Sequence, residues 1–350
     1  MSGAPRQGKK PSIAKKVIGA VVAIGIIVLV FGFALPQFAN YSEVWKELKD
    51  LSAWALALLL GLAVLNQISY AWVNQAALPG LRFPQANVVT LAPNMVSLTL
   101  PAGGPISLGL TYGILGSWGF TTEQTTMMVG VGGVWNVLGK FILPVVAVVV
   151  LVIAGEATRT MTLVALAGVV VVAIALGLFA LVLWKESAAR WTGKLLNRLG
   201  TAFLRPFRKG PVTSMTDRVL EFRSQTIVVT RTRWQWLTLA AVANQLSAFL
   251  ILLAALRDVG VTEHQLHWTE ALAAFAFSRV VSSIPITPGG VGIAELSFVG
   301  SLVAAGGPKP EVVAAVLIFR ALTWIMPILL GAVAFVVWRT KKSWRKGVGA

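Results

Sequence analysis

The sequence contains long apolar runs that can each cross a lipid bilayer as a helix, and these runs constrain the fold more than any other feature. An apolar helix needs about 20 residues to span the hydrocarbon core. Runs close to or above this length are 17–35, 52–78, 124–153, 161–184, 234–256 and 311–338. Only 12% of the 350 residues are charged, whereas a typical soluble chain carries about 25%. The sequence therefore predicts an all-α polytopic membrane protein with about six to seven transmembrane helices.

Two further apolar stretches, 86–118 and 268–306, are interrupted at their centres by proline and glycine. Such residues break a helix, and each half is only roughly 15–20 residues long, which is short for a span. The interrupting residues include Pro101, Gly103 and Gly104 in the first stretch and Pro285, Pro288, Gly289 and Gly290 in the second. We interpret each stretch as a re-entrant hairpin of two half-helices.

The basic residues are concentrated in three segments outside the apolar runs. The leader 1–16, the long connection 185–233 and the tail 339–350 contain 5, 11 and 5 Lys and Arg residues, respectively. Cytoplasmic segments of membrane proteins carry such an excess. The distribution predicts a plasma-membrane protein with both termini in the cytoplasm. It argues against a nucleic-acid-binding protein, which needs its basic residues clustered on a folded domain.

The basic leader resembles the first part of a signal peptide. However, the apolar run that follows is too long for the core of a signal peptide, and no A-x-A cleavage site comes after it. We therefore interpret 17–35 as a retained anchor. On this interpretation the chain consists of the leader and a single transmembrane domain, 17–350.

The long connection 185–233 contains a basic amphipathic pattern. Three cationic side chains alternate with four apolar ones at spacings of four, namely Arg190, Lys194 and Arg198 with Trp191, Leu195, Leu199 and Phe203. A helix with this pattern lies on an anionic leaflet. We therefore expect this segment to contact the inner leaflet, and the alternative is a solvated helix that binds a protein partner.

A seven-residue pattern occurs twice in the chain, at 63–69 and at 241–247, with five identical positions. Each copy is followed by a Gly-Gly break and then by a long apolar helix with a late proline, Pro144 or Pro327. Three features in the same order indicate an internal duplication.

The predicted topology makes the two repeats inverted, because their first helices cross the membrane in opposite directions. Repeat one comprises 52–153, repeat two comprises 234–338, and the helix 161–184 links them. Inverted repeats with broken helices are typical of secondary transporters, in which the substrate site lies near the bilayer midplane.

Four charged residues fall deep within the apolar segments, away from their ends: Lys140, Arg279, Glu295 and Arg320. A charge at the bilayer centre costs at least ~2.5–3.5 kcal/mol, so each needs a partner or an aqueous cavity. One interpretation is a buried Arg–Glu pair that fixes the second hairpin to the last helix. One carboxylate does not neutralise three cations, however. The surplus positive charge points to an anionic ligand such as a phosphate, which arginine binds in bidentate fashion.

Glycines and amides complete the candidate site. Gly289, Gly290 and Gly292 precede the returning half-helix, where backbone N–H groups form either an anion-binding nest or simply a tight turn. Asn66 and Asn244 are equivalent amides of the two repeats. Such amides more often hold helices together than bind a substrate.

The sequence lacks the motifs of the enzymes that act on lipids or ATP. It has no P-loop, no GxSxG pattern and no cysteine. His264 and His267 with Glu263 and Glu270 match a metal site by residue type, but they fall in an outer loop without further ligands. We therefore expect no enzymatic activity, no metal and no cofactor.

The segment from Pro285 to Glu295, with the pattern P-x-T-P-G-G-x-G-x-x-E, and the later Phe319-Arg320 pair resemble the lysylphosphatidylglycerol synthase transmembrane-region family, also called flippase-like membrane proteins. The first hairpin departs from the family pattern, because it lacks the acidic and arginine residues that the family usually carries there. The resemblance implies movement of a lipid across the bilayer. The synthase activity of larger relatives needs an appended soluble domain, which we do not expect after the last helix.

Three functions are compatible with these features. The first is a non-ATP-driven flippase for an anionic phospholipid or a polyprenyl-phosphate-linked lipid, with the phosphate held by Arg279 and Arg320. The second is an ion-coupled transporter of a small anion, which needs a closed aqueous site instead of a groove open to lipid. The third is a non-transporting scaffold that recruits a cytoplasmic enzyme through 185–233. A homo-oligomer is compatible with all three.

Overall fold

The computed structural model describes five stretches of the chain and the single residue Gly177. The stretches are 52–100, 103–155, 181–204, 215–283 and 290–344. They are helical apart from short connections and contain no strand, so the all-α prediction is confirmed for them. The described residues do not include the anchor run 17–35, most of the linking helix 161–184, Pro101, Pro285, Pro288 or Gly289.

Ten helices follow one another in these stretches. They are α1 (Ala53–Ala77), α2 (Phe83–Thr99), α3 (Gly103–Ser117), α4 (Thr122–Ile153), α5 (Glu186–Leu204), α6 (Met215–Asp258), α7 (Trp268–Val281), α8 (Ile293–Ala304), α9 (Lys309–Arg320) and α10 (Met326–Thr340). A π-helical turn, Ala321–Ile325, joins α9 to α10. The last two helices therefore form one continuous rod, Lys309–Thr340.

Local side-chain contacts define where the first long helices begin. The Ser52 hydroxyl accepts a hydrogen bond from the Ala55 N–H at 3.1 Å at the start of α1. At the start of α4, the Gln124 N–H donates to the Thr121 hydroxyl, and the Thr121 N–H donates to the Gln124 side chain. This reciprocal arrangement is a capping box, which satisfies two N–H groups that a helix start otherwise leaves unpaired.

Four helical segments are long and apolar enough to cross a membrane. They are α1, α4, the second part of α6 from Thr232 to Asp258, and the rod formed by α9 and α10, with 25, 32, 27 and 32 residues. They coincide with four of the apolar runs predicted from the sequence. The chain is therefore a multi-pass membrane protein.

Two pairs of shorter helices occupy the stretches predicted to form hairpins. α2 and α3 contain 17 and 15 residues, and α7 and α8 contain 14 and 12, each below the ~20 residues of a span. The start of α3 is pressed against α2, because a Cβ on Gly103 would lie only 2.9 Å from Ser97 Cα. The Ser278 and Ser301 hydroxyls, 2.9 Å apart, join α7 to α8.

The buried apolar residues form two main cores. The first core contains Leu59, Leu143, Leu256, Phe275 and Phe319, and the second contains Leu78, Trp118, Met128, Leu237 and Ala334. One end of each long membrane helix packs in the first core, and its other end packs in the second core. The helix ends that the topology assigns to one side of the membrane therefore pack together, and the same holds for the other side.

Helices of one predicted repeat pack on those of the other. α1 packs along α6, α2 along α10 and α7 along α4. The α2–α10 crossing is close at Gly331, where a Cβ would lie 2.5 Å from both the Leu91 carbonyl oxygen and Met95 Cβ. Packing is therefore exchanged between the repeats. One short helix of each pair, α2 or α7, lies against the last long helix of the other repeat, α10 or α4.

Candidate functional site

The equivalent amides of the two repeats meet where α1 crosses α6. Asn66 Nδ2 donates to the Asn244 carbonyl oxygen at 2.8 Å, and Asn244 Nδ2 donates to the Asn66 carbonyl oxygen at 3.0 Å. The Ser69 and Ser247 hydroxyls donate to the same two carbonyls. These four hydrogen bonds are matched between the two copies, and Asn66 Nδ2 also donates to the Ser247 hydroxyl at 3.0 Å. The contact joins the two helices.

The crossing and the charged residues lie between the two cores. Along α1, Asn66 follows Ala63 of the first core and precedes Ala71 of the second. Arg320 is the twelfth residue of the rod Lys309–Thr340, which places it about 17 Å from the start at 1.5 Å per residue. This depth is near the middle of a hydrocarbon core about 30 Å thick.

Glu295 and Arg320 form a buried ion pair. Arg320 Nε donates to Glu295 Oε1 at 2.7 Å. The Arg320 side chain is only 13% exposed, and the Glu295 side chain is only 7% exposed. The Arg320 guanidinium also lies 5.5 Å from the Trp324 ring centroid, across the π-helical turn. The pair joins α8 to α9, as one of the sequence-based interpretations requires.

The glycines at the start of α8 adopt the conformation that only glycine tolerates well. Gly290 and Gly292 have φ angles of 69° and 86°, in the left-handed region. The Gly292 N–H donates to Glu295 Oε2 at 2.7 Å. The anion at this N–H group is therefore the protein's own carboxylate, and Gly289 lies outside the described residues.

Arg279, on α7, is less completely paired than Arg320. Its Nη2 donates to Gln245 Oε1 at 3.3 Å, and its guanidinium lies 5.9 Å from the Phe275 ring centroid. Its Nε is buried and has no hydrogen-bond partner among the residues that the structure describes. Among the described residues, no carboxylate lies within ion-pair distance of this guanidinium.

Lys140 adds a third cation to the cluster. Both Lys140 and Arg320 lie within electrostatic range of Arg279. Gly139, the neighbour of Lys140, packs against Gln245, since a Cβ on this glycine would lie 3.4 Å from Gln245 Cγ. Among the described residues, the cluster contains one carboxylate, Glu295, beside three cations. The cluster therefore carries more positive than negative charge.

A groove of about 270 Å³ lies between α4 and α6, and Gln245 is one of its lining residues. Its rim is apolar and exposed on the surface of the helix bundle, with Ile142, Val146, Val242 and Leu246. Trp135 Nε1 donates to the Thr238 hydroxyl at 3.1 Å on one part of the wall. Gln245, the partner of Arg279, forms another part. The groove therefore extends from the apolar surface of the bundle to the amide that binds Arg279.

The basic segment predicted to be helical forms α5, which lies along the first part of α6. Ala189 is buried, and a Cβ on Gly193 would lie 2.5 Å from Thr216 Cα. Trp191 is 65% exposed, and the Lys194 side chain is also exposed. The helix is confirmed, and its contact with an anionic leaflet stays a prediction.

These observations define a class of protein: an all-helical multi-pass membrane protein with a charged cluster at mid-depth between short, broken helices. Residues 17–331 match the model of the lysylphosphatidylglycerol synthase TM region family. The chain belongs to this family, as the resemblance indicated.

One relative is the inner membrane protein YbhN of Escherichia coli (strain K12). It is 21% identical to this chain over 331 residues, which cover 93% of this chain and 92% of that protein. The inner-membrane relative and the apolar helices support a multi-pass protein of the plasma membrane.

The structure adds site residues that the sequence analysis did not select. Gln245 binds Arg279, and Trp135 and Thr238 form the groove wall. Gln245 belongs to the repeated seven-residue pattern, so its position in the repeat was a usable signal. Nothing in the sequence indicated that Trp135 and Thr238, 103 residues apart, would meet.

Proposed function

We propose that the protein is a non-ATP-driven lipid translocase that moves a phosphate-bearing headgroup between the leaflets. The substrate class is an anionic phospholipid or a polyprenyl-phosphate-linked lipid. Arg279 binds the phosphate, Lys140 adds positive charge, and Arg320, oriented by Glu295, holds the second short-helix pair beside them. The amides Asn66 and Asn244 form the pivot between the two halves.

The observation that carries the proposal is the state of Arg279. Its guanidinium lies at membrane depth with a buried, unpartnered Nε and a single long hydrogen bond to Gln245. An arginine in a membrane is costly without a partner, and a phosphate supplies two acceptors in the planar geometry of its fork. An anionic ligand therefore accounts for a residue that the rest of the described chain leaves unsatisfied.

The exchanged packing supports an inverted-repeat mechanism. α1 and α6 share a reciprocal amide contact, and each short-helix pair packs on the other repeat's last helix. Helices of 12 to 17 residues around a break also suit re-entrant hairpins. Alternating access in such folds arises when one repeat rocks against the other around a fixed central site.

The groove between α4 and α6 favours a lipid over a small soluble anion as the substrate. A flippase must let the hydrocarbon chains stay in the bilayer while the headgroup crosses. An apolar groove that reaches Gln245 from the bundle surface allows this. A transporter of a small anion has no need for such an opening, and it remains the second candidate because Arg279 suits any phosphate.

We expect Arg279→Gln to fold normally and to lose lipid exchange. The change removes a cation that lacks a carboxylate, so the yield of monodisperse protein should equal or exceed that of the wild type. Loss of a charge-assisted bond to phosphate should slow exchange about tenfold or more. The measurement is leaflet exchange of a fluorescent phosphatidylglycerol in reconstituted vesicles.

The matched control is Arg339→Gln, which removes an exposed arginine at the end of α10. It should leave exchange unchanged. Arg279→Lys should be nearly as slow as Arg279→Gln, because an ammonium lacks the planar fork. Normal exchange by well-folded Arg279→Gln would exclude Arg279 from the mechanism.

Filling the groove should separate the two candidate substrates. Val242→Trp places a large ring in the groove from an exposed position on α6, so we expect exchange to fall several-fold with little effect on folding. Val333→Trp is the control, since Val333 is equally apolar and 61% exposed on α10, outside the groove. If the substrate is a small anion, the two variants should behave alike in the same vesicles.

A further inference from the structure

A second pocket, separate from the charged cluster, lies between the end of α1 and the membrane entry of α6. Its volume is about 290 Å³, and its lining residues are Trp72, Gln75, Ala76, Gly80, Leu81, Arg233 and Trp236. Trp72 and Trp236 pack against each other in its wall, with ring centroids 5.9 Å apart and ring planes tilted by 44°. The pocket lies at the end of the helices that the topology assigns to the cytoplasmic side.

Among the described residues that line this pocket, Arg233 is the one cation. Its side chain is partly buried. Among the described residues, no carboxylate lies within ion-pair distance of it. Gln75 adds an amide to the lining, and the two indole rings add aromatic walls. A lone arginine beside an amide and aromatic walls is suited to bind a phosphate.

The polar and aromatic side chains of the pocket have no counterparts in the internal repeat. Equivalent positions in the two copies differ by 178 residues, as Asn66 and Asn244 do. By this offset, Trp72 and Gln75 correspond to Leu250 and Leu253, and Arg233 and Trp236 correspond to Ala55 and Leu58. The positions equivalent to these four pocket residues are therefore all apolar in the other half of the repeat.

The position of the pocket indicates the source of the phosphate. Tryptophan and arginine are enriched where helices leave the bilayer, at the level of the lipid headgroups. Arg233 is the second residue of the membrane segment Thr232–Asp258, and Trp236 is 53% exposed. A headgroup of the adjacent leaflet can therefore reach the guanidinium while its chains stay in the bilayer.

We infer that this pocket binds the phosphate group of an anionic phospholipid from the leaflet next to it. Arg233 and Gln75 hold the phosphate, and Trp72 and Trp236 pack against the glycerol region. The site does not rest on the proposed transport function, because it shares no residue with the Arg279 cluster. A lipid held here anchors the α1–α6 pair at one end of the molecule.

Native mass spectrometry of the purified full-length chain tests the site. Wild-type protein should retain phosphatidylglycerol in preference to phosphatidylcholine. Arg233→Gln should weaken phosphatidylglycerol binding about tenfold, as expected for loss of a charge-assisted bond. Arg339→Gln, which removes an exposed arginine outside the pocket, should have little effect. Equal losses in the two variants would overturn the inference, since they would show attraction to surface charge in general.

A protection experiment keeps the inference testable if Arg233→Gln folds poorly. The chain has no cysteine, so Ala76→Cys introduces a single thiol in the pocket lining and leaves Arg233 and Gln75 in place. Phosphatidylglycerol should slow its reaction with a maleimide several-fold, and phosphatidylcholine should not. Equal protection by both lipids would overturn the site. Protection by inorganic phosphate at the same concentration would overturn the lipid as its ligand.

Discussion

Glu295→Gln is expected to lose most of its folded protein. The change leaves Arg320, a side chain that is only 13% exposed, without its charge partner. Breaking a buried pair in this way costs about 3–5 kcal/mol, a large part of the ~5–15 kcal/mol that stabilises a typical protein. The measurements are the yield of monodisperse protein and its apparent unfolding temperature in detergent.

Glu270→Gln is a closely matched control. Glu270 and Glu295 occupy the same position in the first turn of a short helix, and each accepts a hydrogen bond from the N–H three residues earlier. Glutamine can also accept that bond. Glu270 has no arginine partner among the described residues, so its replacement should cost less than about 1 kcal/mol.

The double variant Glu295→Gln, Arg320→Met should recover folded protein, because removing both charges leaves none unpaired. The opposite outcome is equally informative. If Arg320→Gln alone folds normally and abolishes lipid exchange, Arg320 contacts the headgroup directly and its bond to Glu295 is secondary.

Gly331→Ala is expected to destabilise the protein by about 1–3 kcal/mol, the usual cost of overpacking. A Cβ at this position would lie 2.5 Å from the Leu91 carbonyl oxygen and from Met95 Cβ. The α2 backbone must therefore move away from α10. Gly331→Leu should prevent folding. Thermal unfolding of the purified variants measures both effects.

The control is Gly61→Ala, which should raise the stability of the protein instead of lowering it. Gly61 lies within α1, and a Cβ there would meet no atom within 4 Å. Gly61→Ala should therefore stabilise the protein by about 0.5–1 kcal/mol, the gain from replacing a helical glycine. If both substitutions have the same effect, the close α2–α10 contact does not contribute to stability.

The membrane helices could be predicted from the sequence because their signal is local. The runs 52–78, 124–153 and 311–338 match α1, α4 and the rod Lys309–Thr340 closely. The run 234–256 also forms a membrane helix, as predicted, but the helix that contains it, α6, begins at Met215. The part of this helix before Thr232 is polar, so hydropathy alone gave no reason to extend the helix in that direction.

Part of the candidate site was also visible in the sequence. A charge inside an apolar run stands out, so Arg279, Glu295 and Arg320 could be selected, and a single carboxylate near two arginines made one pair probable on chemical grounds. Which arginine Glu295 binds depends on how α7, α8 and α9 pack. The packing pairs Glu295 with Arg320. Arg279 therefore has Gln245 as its hydrogen-bond partner, and its Nε has no partner among the described residues.

The sequence by itself determined that the chain spans a membrane, where its long helices lie and which charges enter the bilayer, because each of these follows from the composition of short windows. The tertiary structure decided the partners: Glu295 with Arg320, Asn66 with Asn244, and the groove walls on α4 and α6. These contacts join residues 25 to 178 positions apart. Their geometry depends on helix crossings set by small residues such as Gly331 and Gly139, and no local pattern encodes the distance between two helices.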